Sequence, residues 1–148
     1  MDRKFHLVAL AVKAASAAVV FVATLVAIWL LGPTVETKFF PVVGKLAITK
    51  MEAVSDTETK IWAYFFKRRS CEYVGISWFK RDGDSFVRVP LQLLRQPGDV
   101  SSPNRPVGAQ TSGPWIVGIP KDQIIANSYV ELQHRCGFPW LSITEFYP

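Results

Sequence analysis

Residues 14–31 have the sequence AASAAVVFVATLVAIWLL, eighteen consecutive residues without a charge, and they decide the organisation of the chain. A helix of this length and apolar character can cross the hydrocarbon core of a bilayer. Lys13 precedes the stretch, and its long side chain can reach the headgroups. The pair Gly32-Pro33 predicts the end of the helix, because glycine accepts a left-handed cap and proline interrupts the hydrogen-bond ladder. We therefore predict a transmembrane segment over residues 14–32.

A cleaved signal peptide is the competing interpretation, since Arg3 and Lys4 form a basic segment ahead of the apolar stretch. An uncleaved signal anchor is favoured, because the stretch is longer than a usual signal-peptide core and no small-x-small cleavage motif follows it. The basic residues on the N-terminal side place residues 1–13, the short N-terminus and the start of the anchor helix, toward the cytoplasm. The predicted location is the inner or cytoplasmic membrane, with the C-terminal domain outside the cytoplasm.

One face of the predicted helix carries alanines, mostly at a spacing of four. A smooth strip of this kind lets a second helix approach closely. It is therefore a candidate face for homo-oligomerisation or for docking onto a larger membrane protein. The alternative is that the alanines have no such role, because small-residue spacings are common. The strip consists of Ala11, Ala15, Ala23 and Ala27.

The residues after the anchor have the composition of one folded domain. The chain has 148 residues and a net charge of +5, and fourteen basic and eleven acidic residues follow residue 32. This excess is too small for a nucleic-acid-binding face, so no nucleic-acid partner is expected. Both cysteines belong to this part, and we predict a disulfide between Cys71 and Cys136 on the extracytoplasmic side. A pair of cytosolic thiols is the alternative if the orientation is reversed.

Strand-like patterns recur over seven short stretches, which predicts an all-β domain over residues 45–148, joined to the anchor by a linker at residues 33–44. The pair Asp82-Gly83 suits the tight turn of a hairpin. One helical turn is expected at residues 121–126. Seven short strands indicate a small antiparallel β-sandwich or a partly open barrel. The predicted strands are 45–53, 60–66, 72–79, 85–93, 115–119, 128–136 and 141–146.

Residues 95–114 contain four prolines and three glycines, which predicts a long loop rather than a strand. Long loops in compact domains are frequently functional. Arg105 is a candidate for binding an anionic partner or a carboxylate of the domain itself, and Trp115 is a further candidate for partner binding. The alternative is a simple wrap across a sheet edge.

The predicted strand at residues 60–66 is apolar on both faces, where a solvated sheet would alternate apolar with polar residues. One face is expected to meet the core. The other face carries Trp62, Tyr64 and Phe66, which we interpret as candidate contacts for a protein partner. A central strand buried on both faces is the equally weighted alternative.

A compact basic cluster follows this aromatic strand directly. Lys67, Arg68 and Arg69 are candidates for contact with anionic headgroups at a membrane surface. A solvated strand end is the favoured alternative, because three charges fall short of the usual polybasic number.

No enzyme signature is present in the sequence, and we expect neither a cofactor nor a metal. Alternation along a strand places His134 with the apolar residues, and we expect a hydrogen-bonded core histidine near the disulfide. A zinc site is not expected, because it needs three or four ligands and both cysteines are assigned to the disulfide. A Cys-His nucleophile pair needs a free thiolate, which a disulfide at Cys136 removes. A membrane-tethered enzyme acting on envelope polymer is a minor alternative that rests on the long loop and the aromatic surface.

Four short pieces of the C-terminal half carry a family likeness, namely NRPVG at 104–108, GPW at 113–115, HRC at 134–136 and FYP at 146–148. Together with the single anchor they resemble small membrane proteins encoded by tailed bacteriophages and prophages. The resemblance implies no catalytic residues. It implies a role at the host inner membrane, such as exclusion of a second infection or assistance in lysis.

The features together predict a single-pass membrane protein that presents its β domain for protein–protein interaction. The alternative is an accessory single-pass subunit of a larger membrane complex, with the alanine strip as its docking face.

Overall fold

The computed structural model of the chain describes residues 2–95, 102–137 and 139–146, with side chains from residue 6 onward. Within these ranges a long helix, α1 (Asp2–Phe39), precedes eight strands and one short helix, α2 (Lys121–Asn127). The part after α1 is mostly sheet, as the sequence predicts. The strands are β1 (Ala47–Ala53), β2 (Thr59–Lys67), β3 (Glu72–Asp82), β4 (Ser85–Val89), β5 (Leu91–Leu93), β6 (Gly108–Val117), β7 (Ser128–Arg135) and β8 (Ser142–Phe146).

Helix α1 continues past its predicted end, because Pro33 lies inside the helix. The prediction that the helix ends at Gly32-Pro33 is therefore wrong. Gly32 lies instead against the ring of Trp140, and a Cβ atom added at Gly32 would come within 2.7 Å of that ring. Contacts between the last turns of α1 and the β domain hold the segment after the proline in helical form, which offsets the lost hydrogen bond.

By length and composition, α1 is the one helix of the described residues that can cross a membrane. Its side chains at residues 6–31 are exposed to the surroundings. A continuous apolar surface of this length is unfavourable in water and is accommodated by a bilayer. The alanine strip, formed by Ala11, Ala15, Ala23 and Ala27, lies within this exposed surface.

The strands form two antiparallel sheets of four strands each, with the orders β1-β2-β6-β5 and β4-β3-β7-β8. Strands β3 and β4 form the predicted hairpin, in which Gly83 has a φ of +60°. The predicted strand at residues 85–93 is divided at Pro90. The chain passes there from the second sheet to the first, and proline cannot donate to either ladder.

Residues 108–114, predicted as loop, form the first part of β6 and pair with β2. The prediction of a loop through residues 95–114 is wrong for this part, and its residues 96–101 lie outside the described residues. Pro114 fits in the strand because the β2–β6 register shifts between Ile61 and Ala63, and bulges accept proline. Tyr147 and Pro148 of the phage-like pattern also lie outside the described residues.

One hydrophobic cluster draws side chains from both sheets. Ile61 and Val117 contribute from the first sheet, and Trp78 and Val130 from the second, each at most 2% exposed. Ser128 accepts a hydrogen bond from the Trp78 indole nitrogen at 2.9 Å, which satisfies the polar atom of this buried ring.

The segment that joins the helix to the first strand also belongs to this core. Val42, Val43 and Leu46 are buried, so residues expected to form a linker pack inside the domain. The predicted disulfide is confirmed, because Cys71 and Cys136 are bonded to each other. It joins the end of β7 to the segment between β2 and β3.

Candidate functional site

The junction between α1 and the β domain is held by a buried carboxylate. Glu36 is 6% exposed and uses both of its carboxylate oxygens. Arg69 donates to Oε1 at 2.8 Å, and the indole nitrogen of Trp140 donates to Oε2 at 2.7 Å. Arg69 also donates to the carbonyl oxygen of Phe40 at 2.8 Å. The junction is therefore a fixed connection between helix and sheets.

The rings of Trp29 and Trp140 extend this junction along the helix. Their centroids lie 6.2 Å apart with an interplanar angle of 69°, an edge-to-face contact. Trp29, near the end of the apolar stretch, thus contacts the part of the chain that follows β7.

A cavity of about 120 Å³ is lined by residues of both sheets. Its apolar walls include Ile61 and Phe65 of β2, Trp78 of β3 and Leu132 of β7. Ser102, Pro103 and Arg105 line another side, and their segment is held to β3 because Asn104 Oδ1 accepts a hydrogen bond from the backbone nitrogen of Tyr73 at 2.6 Å.

Cationic side chains line the same cavity. Lys67 is 2% exposed and donates to the carbonyl oxygen of Cys71 at 2.8 Å. Arg105, half-buried, lines the cavity as well. Burial lowers the pKa of the Lys67 amine and raises the pKa of the Tyr73 hydroxyl. Among the described residues, those that line the cavity include no aspartate and no glutamate.

His134 lies on this wall on the apolar side of β7, as alternation predicts. Burial, and then the charge of Lys67, lowers the pKa of His134 to about 4, so the ring is neutral at pH 7. The expected hydrogen bond is missing at Nδ1, which has no partner among the described residues. The ring makes an edge-to-face contact with Tyr73, with centroids 6.0 Å apart.

The predicted partner-binding residues fall into two separate groups. Trp62, Tyr64 and Phe66 alternate with buried residues along β2 and share the outer face of the first sheet. Tyr64 and Phe66 are exposed, whereas Trp62 is half-buried, with the Lys50 ammonium 4.8 Å from its ring centroid. Arg105 lines the cavity instead.

Trp115 belongs to the second group and lines the cavity with Arg105. It is half-buried, and its indole nitrogen donates to Ser112 Oγ at 2.8 Å. The sequence therefore grouped as one set of partner-binding candidates residues that belong to two places, the outer face of β2 and the cavity.

The structure also divides the basic cluster of residues 67–69. Lys67 points into the cavity and Arg69 pairs with Glu36. Arg68 is exposed and lines a shallow cleft beside Gly44 and β8. Arg68 is therefore the exposed member of the cluster.

Sequence reasoning missed the inward direction of Lys67, although a signal for it was present. Strand alternation places Lys67 on the same face as Ile61, Ala63 and Phe65, which are all buried. A charged residue that continues an inward-facing apolar series indicates a functional or paired group.

No group of three or more histidine, cysteine, aspartate or glutamate residues suited to a metal ion occurs within residues 2–95, 102–137 and 139–146. No protein-family model matches the chain, and neither a curated protein nor a solved structure matches it.

Proposed function

We propose that the protein is a single-pass membrane protein that holds a disulfide-stapled β-sandwich outside the cytoplasm, where the outer face of β2 binds another protein. Helix α1 supplies the anchor, and its N-terminus lies in the cytoplasm. The domain is a binding module, not an enzyme.

The observation that carries this proposal is the exposure of Tyr64 and Phe66 on β2, an interior strand of the first sheet. Aromatic side chains are enriched at the centres of protein interfaces, where they bury a large area with few rotatable bonds. Tyr64 and Phe66, exposed two residues apart on one strand, are therefore suited to lie at the centre of an interface. Trp62 extends the same row at the next outward position.

The aromatic row lies close to the anchor. The backbone nitrogen of Gly44 donates to the carbonyl oxygen of Phe66 at 2.8 Å, and Gly44 lies five residues after the end of α1. Because Glu36 and Arg69 fix the helix to the domain, the row has a defined orientation relative to the anchor. This geometry supports a partner that is itself held at the membrane.

Site-specific photocrosslinking in cells tests this proposal. A photoreactive amino acid placed at Tyr64 or Phe66 is expected to give one discrete adduct with a protein. The matched control is Val87, which is 43% exposed on β4 in the other sheet and is expected to give no such adduct. Equal adducts from all three positions, or none from Tyr64 and Phe66, would contradict the proposal.

The second candidate is an accessory subunit that docks through its helix. The exposure of the whole alanine strip favours it, because small residues let helix backbones approach closely. The same crosslinker placed at Ala15 or Ala23 distinguishes the two candidates. Adducts from these positions, together with none from Phe66, would favour helix docking.

The resemblance to small phage membrane proteins indicates where either candidate function would operate, namely at the inner membrane of the host. The partner would then be a component of the host inner membrane. We propose exclusion of a second infection or assistance in lysis as the corresponding outcome of binding.

A further inference from the structure

The cavity between the sheets carries a positive charge that no acidic side chain in the described part of the chain balances. Lys67 is 2% exposed, and its one hydrogen bond goes to the neutral carbonyl oxygen of Cys71. The ion pairs found among the described residues do not include Lys67. An ammonium group has three donors, so Lys67 retains donors for a further partner. A buried cation without an anion is unfavourable.

His134 adds an unsatisfied polar atom to the same wall. The side chain is 4% exposed and lines the cavity, and its Nδ1 atom lacks a hydrogen-bond partner within the described ranges. Strands β2 and β7 belong to different sheets, so packing of the two sheets brings Lys67 and His134 to one cavity. Arg105 contributes a further cationic group beside Lys67.

The remaining walls are mostly apolar, with Arg95, Ser102 and Ser112 as further polar members. Ile61, Phe65, Trp78 and Leu132 surround the space. Its volume of about 120 Å³ is close to that of engineered cavities of roughly 150 Å³ that hold benzene. The space therefore suits an apolar group of about six carbon atoms.

We propose that this cavity binds a small amphiphilic carboxylate, with the anionic group at Lys67, His134 and Arg105 and the apolar chain between the two sheets. Charge-assisted hydrogen bonds from Lys67 and Arg105 are stronger than neutral ones, and the bound anion offsets the buried charge. A cation is disfavoured because carboxylates are missing from the described lining. A fully polar anion is disfavoured by the apolar walls. The proposal is independent of the outer face of β2.

Calorimetric titration of the full chain in lipid nanodiscs tests this inference, with empty nanodiscs as the blank. Hexanoate carries both required groups, hexan-1-ol lacks the charge, and acetate lacks the chain. We expect saturable binding of hexanoate at one site, at least tenfold tighter than binding of hexan-1-ol or acetate. Equal affinities for hexanoate and hexan-1-ol, or no saturable binding of hexanoate, would overturn the proposal.

Two pairs of variants locate the bound molecule. Ala63 is 5% exposed and lines the cavity, so Ala63→Leu fills the space and is expected to abolish hexanoate binding. Its control is Ala53→Leu, at an exposed alanine of β1, which is expected to leave the affinity unchanged. Arg105→Gln is expected to weaken binding at least fivefold, and Arg88→Gln, at an exposed arginine of β4, is not.

The Ala63→Leu variant avoids dependence on Lys67, whose replacement also removes a buried hydrogen bond. Circular dichroism spectra that match the wild type establish that each variant is folded. Wild-type affinity for hexanoate in folded Ala63→Leu would place the molecule outside the cavity and overturn the inference.

Discussion

The carboxylate of Glu36, in the last turn of α1, pairs with the guanidinium of Arg69 at 2.8 Å. These residues are 33 positions apart in the chain, and the pair joins the helix to the segment that carries Cys71. Because Glu36 is buried, loss of Arg69 leaves its carboxylate without a cationic partner, and the hydrogen bond from the neutral indole of Trp140 does not replace the lost charge.

A double-mutant cycle with Glu36→Gln and Arg69→Gln is expected to give a coupling free energy of about 1–3 kcal/mol. The measurement is urea unfolding of the full chain in detergent. The control cycle uses Lys50 and Glu52, an exposed pair at 2.6 Å, for which the coupling free energy is expected to be much smaller because water screens both charges. Similar coupling in both cycles would mean that the Glu36–Arg69 pair does not fix the helix.

Gly32→Ala is expected to lower the free energy of unfolding by about 1 kcal/mol. An added methyl group overlaps the Trp140 ring at 2.7 Å, and overpacking of about 1–3 kcal/mol exceeds the gain of up to about 1 kcal/mol in helix propensity. Near-UV circular dichroism should show a displaced tryptophan. Gly75→Ala is the control, because its added Cβ has no atom within 4 Å. A stabilised Gly32→Ala variant with an unchanged spectrum would refute the close packing.

Removal of the disulfide by Cys71→Ser and Cys136→Ser is expected to lower the free energy of unfolding by about 4 kcal/mol. The bridge joins residues 65 positions apart, and loop-entropy estimates for this length give about that value. Denaturant unfolding measures the loss, and reduced wild-type protein is the control that should match the variant. A loss below about 1 kcal/mol would show that the bridge adds little to stability.

His134 makes stability fall under acidic conditions. Its pKa is lowered to about 4 in the folded chain, against 6.5 in a model peptide, so the unfolded chain binds the proton first as the pH falls. The contribution is complete above about pH 6.5 and is lost between about pH 6.5 and 4, with a total of about 3 kcal/mol.

Unfolding titrations from pH 8 to pH 4 of the wild type and of His134→Gln test this pH dependence. The difference between them isolates the contribution of His134 from that of other titratable groups, including Lys67 and Tyr73, which face the same cavity. Parallel curves for wild type and His134→Gln would contradict the assignment.

Local patterns were sufficient for most of the secondary structure. The Asp82-Gly83 pair predicted a hairpin, and the alternation along β7 predicted the inward face that carries His134; the structure confirms both. These features depend on residues close in sequence. The cysteine pair was also predicted, because confinement of both cysteines to one side of the anchor was visible in the sequence.

The features that were missed depend on contacts between distant residues. Helix α1 continues past Gly32-Pro33, and its last turns contact Trp140, which lies 104 positions after its partner Glu36, so the local stop signal at Gly32-Pro33 was misleading. The first half of β6 pairs with β2, which overrides a composition typical of a loop. The cavity exists only where two sheets meet, so a list of residue types gives no sign of it.

The central claim is that the β domain lies outside the cytoplasm and is closed by the bridge between Cys71 and Cys136. Labelling with a membrane-impermeant maleimide in intact cells, with any outer barrier opened, tests it most directly. Asp84→Cys, at the exposed β3–β4 turn, combined with Cys71→Ser and Cys136→Ser, reports topology independently of the bridge. The variant without cysteine gives the background.

We expect the Asp84→Cys variant to be labelled at once, and the wild type to be labelled only after an impermeant reductant has opened the bridge. Labelling of both proteins only after lysis, without any reductant, would reverse the topology and contradict the assignment of an extracytoplasmic, disulfide-stapled binding domain.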